Sequence, residues 1–231
     1  MIASLALVFC MSQPWGILSG TTRGIVLGEP TTGKSFLAEQ LTRAAFRVVW
    51  FDVSGDDYNR PGRAVLTVSE LERWPVMLDD PHARIVIAPR GDDAASLTAE
   101  LDRVLSVFGL WQRPPPQRNL VFVCDEVGDY RESAEQTLNA LFRRGRHLGI
   151  GSLLVSQVAT DIPLTCRRLA SDVWSLGQAY PKDIDALAST YGEDFADRVR
   201  HWRKHRSPDG RITYDPPIHF ERSKSLIEEG V

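Results

Sequence analysis

Short apolar runs alternate with amphipathic stretches along most of this chain. The runs have the length of strands and contain few polar residues, as expected of strands that are buried on both faces of a sheet. They comprise residues 24–27, 48–53, 84–88, 119–126, 150–156 and 172–176, with a shorter run at 64–68. Because helical patterns separate most of these runs, the sequence predicts an α/β fold with a central, mostly parallel sheet flanked by helices.

Helices are predicted where apolar side chains recur every three or four residues. One follows the first run, another is expected to begin at 91–93, and the others cover 132–147, 181–190 and 193–206. The side chains expected to face the core are Leu37, Leu41, Ala44, Leu97, Leu101, Val104, Leu105, Phe108, Leu138, Leu141 and Phe142. No repeat or linker divides the chain, so we expect one domain over residues 1–231, with a core of about 20–180 and a helical, basic extension over 181–231.

Composition and charge are those of an ordinary globular protein. Hydrophobic residues make up 43% of the chain and the formal net charge is −3, so any contact with nucleic acid must come from a local basic patch. The three cysteines, Cys10, Cys124 and Cys166, lack the spacing of a metal site. They fit a reducing compartment, with Cys124 expected in the core of its strand.

Residues 1–22 carry no charged side chain, and residues 2–11 are largely apolar. This apolar part is too short to span a bilayer, and no Lys or Arg precedes it as in a secretory signal peptide. We expect either an additional buried strand here or translation from Met11. Mass spectrometry of the native N-terminus would separate these two hypotheses.

A phosphate-binding loop is predicted between the first strand and the first helix. Residues 28–35 fit the pattern Gly-x-x-x-x-Gly-Lys-Ser. Because a predicted strand and a predicted helix flank them, a chance match in a Gly/Thr-rich turn is the weaker interpretation. Its backbone N–H groups would converge on phosphate oxygens, with Lys34 adding positive charge and the Ser35 hydroxyl ligating Mg²⁺. The residues expected to contact ATP are Gly28, Glu29, Pro30, Thr31, Thr32, Gly33, Lys34, Ser35 and Phe36.

Two adjacent carboxylates end the run at 119–126, which is the Walker B pattern. Ligands bind at the carboxyl ends of the strands in open parallel sheets, where the chain is free to turn both groups towards the phosphates. Asp125 is predicted to hold Mg²⁺ through water, and Glu126 to polarise the attacking water, which favours hydrolysis over transfer to a small acceptor. A solvent-facing turn after a core strand is the alternative, and the phosphate loop disfavours it.

Gln157 ends the run at 150–156. If that strand lies between the phosphate-loop strand and the Walker B strand, the Gln157 side chain reaches the γ-phosphate. Its amide can donate to phosphate and accept from water, so it could register whether the γ-phosphate is present. A polar residue that merely caps a strand is the equally weighted alternative.

These motifs together resemble the FtsK–HerA superfamily of DNA-translocating ATPases. The resemblance covers roughly residues 20–180 and is carried by segments 28–35, 51–57, 119–126, 143–157 and 162–177. It implies a RecA-like P-loop ATPase with an additional strand, a catalytic glutamate and a ring, usually a hexamer, that threads double-stranded DNA. Members of the superfamily that consist of little more than the motor core resemble genome-packaging ATPases of tailless icosahedral viruses with an internal membrane. This chain has the length of such a member. Residues 158–160 depart from the Arg-Pro-Ser of many DNA pumps, which weakens placement near cellular FtsK.

Three arginines, Arg143, Arg144 and Arg146, follow the predicted Walker B helix. In ring ATPases an arginine from one subunit commonly stabilises charge on the γ-phosphate of its neighbour. Arg146 is the preferred candidate for this catalytic role, followed by Arg143. Cations are also favoured at a helix C-terminus without any part in catalysis, and this alternative stays open.

A basic cluster near the end of the chain is the candidate DNA contact. Its members are Arg198, Arg200, His201, Arg203, Lys204, His205 and Arg206, with Trp202 among them. Such a cluster could track phosphates, in which case binding would fall steeply with salt. A solvated helix face is the slightly favoured alternative, since Glu193, Asp194 and Asp197 partly offset the charge.

The sequence therefore predicts an ATP hydrolase that uses ATP and Mg²⁺ to translocate double-stranded DNA, with packaging of a viral genome as the leading hypothesis. Its expected partners are double-stranded DNA, further copies of the chain and capsid, vertex or membrane proteins of a virion. Its expected location is the host cytoplasm, and association with the virion is a second expectation. A secretion or conjugation ATPase is the first alternative. A P-loop nucleotide kinase is the second, and it would need an Arg-rich lid that we do not recognise in the sequence.

Overall fold

The structure is a computed structural model that describes residues 18–55, 62–112, 119–206 and 212–222. The predicted N-terminal strand at 2–11, the alternative start at Met11 and Cys10 lie outside these residues. Within the described part, no helix is both long enough and apolar enough to cross a membrane.

In the described residues, ten strands form one large sheet and one hairpin. In chain order they are β1 Arg23–Leu27, β2 Arg47–Phe51, β3 Ala64–Leu66, β4 Arg84–Ile87, β5 Leu120–Cys124, β6 Ile150–Ser156, β7 Asp172–Ser175, β8 Lys204–Arg206, β9 Ile212–Tyr214 and β10 Ile218–Glu221. The large sheet has eight strands in the order β10-β7-β1-β6-β5-β2-β4-β3, and β8 pairs with β9. Only β10 runs antiparallel in the large sheet, so the predicted mostly parallel α/β fold is confirmed.

Seven α-helices connect or follow these strands in the described part of the chain. They are α1 Lys34–Thr42, α2 Val68–Arg73, α3 Ala94–Val107, α4 Arg131–Arg144, α5 Leu164–Leu169, α6 Pro181–Tyr191 and α7 Glu193–His201. Short 3-10 turns cover Pro75–Asp79, Val127–Asp129, Gly145–Leu148 and Ala159–Asp161.

Alternate residues of the central strands serve two separate cores. In β1, Ile25 and Leu27 join the core that contains the apolar side chains of α3 and α4. Val26, between them, joins the second core, which contains Leu37 and the rest of the apolar face of α1. Because successive strand residues point to opposite faces, a strand covered on both faces must be apolar throughout, which explains the runs in the sequence.

Most predicted core positions are buried as expected. This holds for the five side chains predicted on α3, for the three on α4, for Leu37 and Leu41, and for Cys124. The prediction for Ala44 is wrong, because α1 ends at Thr42 and Ala44 is exposed, whereas Ala38 is buried in its place. The predicted helix over 132–147 ends at Arg144 and continues only as the 3-10 turn Gly145–Leu148.

Two predicted boundaries are wrong for identifiable reasons. The strand expected at 64–68 stops at Leu66, because the side chain of Thr67 accepts from the Glu70 backbone and starts α2 with a capping box. The helix expected over 193–206 stops at His201, because the backbone of Trp202 is extended. The chain then forms β8, whose ladder partner β9 lies further along the sequence.

The order of the central strands decides what can meet at the carboxyl edge of the sheet. Strand β6 lies between β1 and β5, as the interpretation of Gln157 required. Leu27 pairs with Ser156, and Cys124 pairs with Leu154. The phosphate loop, Gln157 and the two carboxylates therefore leave neighbouring strands at nearly the same level.

Candidate nucleotide-binding and hydrolysis site

The phosphate loop is a closed turn that leads into α1. The backbone N–H and the hydroxyl of Thr32 both donate to the Glu29 carbonyl, at 3.3 and 2.7 Å. Gly33 has a φ of +96°, a conformation that glycine adopts without cost, and the nine-residue helix α1 begins at the next residue. The N-terminus of α1 thus opens on the loop, where its unpaired N–H groups favour an anion.

The first glycine of the loop leaves no room for a side chain. A Cβ atom added at Gly28 would lie 2.6 Å from the Thr32 hydroxyl and 2.9 Å from Leu176 Cβ. Glu29, Pro30 and Thr31 are exposed at the crest of the loop, whereas Thr32 and Lys34 are buried and Gly33, Ser35 and Phe36 are half-buried. The loop is therefore tightly packed beneath and open above, as a cradle for a phosphate chain requires.

Lys34 lies in the electric field of the two Walker B carboxylates. Its Nζ donates to the Glu29 carbonyl at 3.3 Å. Burial lowers the pKa of Lys34, while the nearby Glu126 and Asp125 act in the opposite direction. The structure thus brings the lysine of the loop and the acidic end of β5 into one site, as expected from the sequence.

The two carboxylates at the end of β5 have different surroundings. Asp125 is buried, its N–H continues the ladder to the Phe51 carbonyl at 3.0 Å, and its Oδ1 accepts from the Glu126 N–H at 3.0 Å. Glu126 is half-buried and has a φ of +45°, a left-handed conformation that is costly for a residue with a side chain. This turn directs the Glu126 carboxylate towards β6 rather than along the line of β5.

The side chain of Gln157 binds the carboxylate of Glu126. Its Nε2 donates to both Oε1 and Oε2 of Glu126, each at 3.1 Å. The amide therefore contacts the residue expected to activate water, and it sits beside the loop expected to hold the phosphates. Sequence reasoning placed Gln157 near the γ-phosphate, and its contact with Glu126 is an addition from the structure.

We expect Gln157→Ala to lower the rate of ATP hydrolysis about tenfold with little change in ATP affinity, since it removes a charge-assisted hydrogen bond from the carboxylate that is predicted to activate water. Steady-state kinetics would separate kcat from KM. Gln136→Ala is the matched control, because Gln136 is an exposed amide on α4. Normal turnover in Gln157→Ala would remove this residue from catalysis.

A second glutamine, which the sequence gave no reason to select, supports the first. The Gln178 side chain donates from Nε2 to the Gln157 carbonyl at 3.0 Å and is 6% exposed. Gln178 follows β7 and Gln157 follows β6, on opposite sides of β1. The amide of Gln178 therefore reaches across the end of the phosphate-loop strand and fixes the peptide that carries Gln157.

The C-terminal hairpin also contacts the phosphate loop. The Tyr214 hydroxyl, on β9, donates to the Thr31 carbonyl at 2.9 Å. Trp202, which precedes β8, packs against Gly177 so closely that a Cβ there would lie 2.6 Å from its ring. Trp202 is 8% exposed, so this aromatic residue of the basic cluster belongs to the second core and is not a free stacking surface.

Arg143 and Arg146 lie at the opposite edge of the sheet from the loop of their own chain. Both are exposed and precede β6, whose seven residues span about 23 Å between them and Gln157. Arg146 instead lies near Arg23 at the start of β1: burial lowers the pKa of Arg23, and the positive charges of Arg146 and Arg222 lower it further. Their role at the site of another subunit stays a prediction.

The chemistry of the site suits a nucleotide-bound magnesium ion. Mg²⁺ prefers oxygen ligands and is usually held by one or two protein groups together with substrate phosphates and water. Ser35 in the first turn of α1 and Asp125 at the end of β5 supply such oxygens. Among the described residues no group of three or more metal-binding side chains exists, so a dedicated protein cage is absent from this part of the chain.

Several solved structures share this fold. The sequence matches no protein-family model and no curated protein. The structure matches the genome packaging NTPase B204 from Sulfolobus turreted icosahedral virus 2 in complex with sulfate, at a TM-score of 0.60 and 14% identity over 86% of this chain and 98% of that chain. The same NTPase in complex with AMPPCP matches at a TM-score of 0.59 and 15% identity, with the same coverage.

Two proteins from bacteria match as well. VirB4 of Thermoanaerobacter pseudethanolicus gives a TM-score of 0.55 at 13% identity, over 86% of this chain and 88% of that chain. The bacterial conjugative coupling protein TrwB gives 0.54 at 15% identity, over 86% and 78%. The resemblance recognised in the motifs is thus confirmed at the level of the fold, which is the RecA-like P-loop fold.

Proposed function

We propose that this protein is a Mg²⁺-dependent ATPase that translocates double-stranded DNA and packages a viral genome. The observation that carries the proposal is the meeting of Lys34, Glu126 and Gln157 at the ends of three adjacent strands. A loop for phosphates, a carboxylate for water and an amide between them are the parts that ATP hydrolysis needs.

Each part of the site has a defined task in this proposal. The N-terminus of α1 and the ammonium group of Lys34 bind the phosphates and balance their charge. Ser35 and Asp125 would hold Mg²⁺, which would supply additional positive charge at the phosphate oxygens. Glu126 accepts the proton of the attacking water. Gln157 holds the Glu126 carboxylate and can exchange that contact for a γ-phosphate oxygen, which couples the presence of the γ-phosphate to the position of the base.

Genome packaging is favoured over other motor functions by the extent of the structural match. The structural match extends over 98% of the chain of the genome packaging NTPase from Sulfolobus turreted icosahedral virus 2. A motor of this kind would act as a ring in which each site is completed by Arg146 or Arg143 of a neighbour. The host cytoplasm and the virion are the places where such a protein would work.

A conjugation or secretion ATPase is the second candidate function. The matches to VirB4 and to a conjugative coupling protein support it, since both have the same fold as this chain. The chain covers a smaller share of these proteins, 88% and 78%, than of the packaging NTPase. Packaging is therefore the better supported of the two.

ATPase activity measured with and without linear double-stranded DNA tests the proposal. We expect hydrolysis without any added acceptor and a several-fold rise in rate with DNA, alongside light scattering that shows a ring. Glu126→Gln is the matched control, in which both rates should fall by about 100-fold or more. Transfer of phosphate to a nucleoside monophosphate would instead indicate a kinase, and a rate that DNA leaves unchanged would contradict translocation.

A further inference from the structure

A cleft of about 240 Å³ opens beside the phosphate loop, on the side away from Glu126. One wall is formed by Glu29 of the loop. The floor is formed by the segment that follows β7, including Gln178 and Ala179, and the far wall by the segment Trp202–Lys204. Trp202–Lys204 belong to the basic cluster near the end of the chain, whereas Gln178 and Ala179 belong to no motif recognised in the sequence.

The strand order fixes which part of a nucleotide can reach this cleft. The carboxylates leave β5, which lies two strands from β1 on one side, and the cleft floor leaves β7, which adjoins β1 on the other side. A triphosphate on the loop must present its γ-phosphate to Glu126 for hydrolysis. Its α-phosphate and nucleoside then lie towards β7, where the cleft is.

We propose that this cleft binds the nucleoside half of the triphosphate and that the C-terminal hairpin is part of the nucleotide site. The inference rests on the proposed function, because it takes the triphosphate to lie on the loop. It differs from the expectation for the basic cluster, since it assigns Arg203 and Lys204 to a nucleotide of their own chain and not to DNA.

Hydrogen bonds attach the C-terminal hairpin to the phosphate loop and connect its residues to one another. Tyr214 is joined to the loop through the Thr31 carbonyl, and the Trp202 indole N–H donates to the Asp215 carbonyl at 3.0 Å. The Asp215 carboxylate accepts from the Arg203 N–H at 2.8 Å and pairs with His205 at 2.7 Å. These contacts hold the residues that line the cleft against the phosphate loop.

The chemistry of the walls suits a base and a ribose better than a DNA backbone. Trp202 and Ala179 add apolar surface to the cleft: the Trp202 ring is packed against the Gly177 backbone, and the methyl group of Ala179 is exposed at the opening. The Arg203 guanidinium donates to the Arg200 and Trp202 carbonyls at 2.8 and 3.0 Å, and its face can still lie against a base. The Lys204 ammonium lies 5.6 Å from the centre of the Tyr214 ring and can contact the α-phosphate. Arg200, the other cation of the cleft, is ion-paired with Asp197.

The floor of the cleft is connected to the catalytic carboxylate. Gln178 donates to the carbonyl of Gln157, and Gln157 donates to Glu126. A nucleoside in the cleft would therefore contact the side chain of Gln178, which is linked to the Glu126 carboxylate through two successive hydrogen bonds. Gln178 is a positioning residue in this arrangement, acting through Gln157.

Filling the cleft tests the proposal. We compare the binding of Mg-ATP and of inorganic tripolyphosphate, which lacks a nucleoside, to the wild-type chain and to Ala179→Trp by calorimetry. We expect Ala179→Trp to weaken ATP about tenfold or more and to change the affinity for tripolyphosphate by less than about twofold. Ala44→Trp is the matched control, because Ala44 is an exposed alanine beyond the end of α1, and it should leave both affinities unchanged.

Three outcomes would overturn the proposal. Unchanged ATP affinity in Ala179→Trp would place the nucleoside elsewhere, and equal loss for ATP and tripolyphosphate would mean that the substitution acts on the phosphate loop. Equal affinity of the wild type for the two ligands would mean that the nucleoside makes no contact. A wild type that binds neither ligand would contradict the proposed ATPase function itself, so the two failures are distinguishable.

The double variant Arg203→Ala, Lys204→Ala decides between nucleotide and DNA as the ligand of these cations. We expect a several-fold loss of ATP affinity, with the affinity for a linear DNA duplex, measured by fluorescence anisotropy, unchanged. Loss of DNA affinity with normal ATP affinity would contradict the assignment and restore DNA as the ligand of these two residues.

Discussion

Replacing Glu126 with glutamine should leave ATP binding intact and reduce hydrolysis by roughly 100- to 10,000-fold, the contribution that a general base typically makes. The substitution conserves the size of the side chain and keeps an oxygen that can accept the hydrogen bond from Gln157. It removes only the capacity to accept a proton from water. The measurement is phosphate release at saturating ATP, together with ATP affinity by calorimetry.

The control for this experiment is Asp129→Asn. Asp129 is an exposed carboxylate that follows Glu126 in the 3-10 turn Val127–Asp129 and has no place in the proposed chemistry. It should retain the rate of the wild type. Turnover in Glu126→Gln close to that of the wild type would remove Glu126 from the mechanism.

Replacing Lys34 with alanine should weaken ATP binding by roughly 30-fold or more. Removing one partner of a buried, charge-assisted contact costs about 2–5 kcal/mol, which corresponds to this change in affinity. Lys34 is 7% exposed, so water compensates poorly for its loss once phosphate is bound. Hydrolysis should fall even at high ATP, because the same ammonium group stabilises charge on the phosphates in the transition state.

Lys182→Ala is the matched control for Lys34→Ala, since Lys182 is an exposed lysine in the first turn of α6. It should bind ATP as the wild type does. Equal affinities of Lys34→Ala and wild type for ATP would show that the nucleotide does not lie on this loop. A thermal unfolding curve for each variant confirms that the fold is intact before affinities are compared.

The parts of the site that could be predicted from the sequence are those whose geometry is local. The loop from Gly28 to Ser35 is one continuous segment between a strand and a helix, so its pattern carries its conformation. Asp125 and Glu126 follow a run of apolar residues, which marks the carboxyl end of a buried strand. Both inferences needed only neighbouring residues and the periodicity of the flanking elements.

The remaining parts depend on contacts between distant segments. The interpretation of Gln157 was conditional on the strand order, which hydrophobic patterns do not determine. Gln178 contacts Gln157, which is 21 positions away in the sequence, and Tyr214 contacts Thr31, which is 183 positions away. Neither Gln178 nor Tyr214 belongs to a known motif. Their hydrogen bonds exist only once β7 and the hairpin have docked beside β1.

The C-terminal basic cluster shows how a local pattern misleads. Alternating cations after α7 look like a helix that continues to 206, but Lys204–Arg206 is a strand that depends on Ile212–Tyr214 for its ladder. Trp202 ends the helix because it packs in the second core. At α2, by contrast, the local pattern is informative, because the capping box formed by Thr67 and Glu70 indicates where this helix starts.

The most direct test of this account is a structure of Glu126→Gln with bound ATP and Mg²⁺. The account predicts the triphosphate on the loop, with the γ-phosphate between the Lys34 ammonium and the side chains at 126 and 157, and the nucleoside on the side of β7. Phosphates bound away from Lys34, or a γ-phosphate directed away from the end of β5, would contradict it.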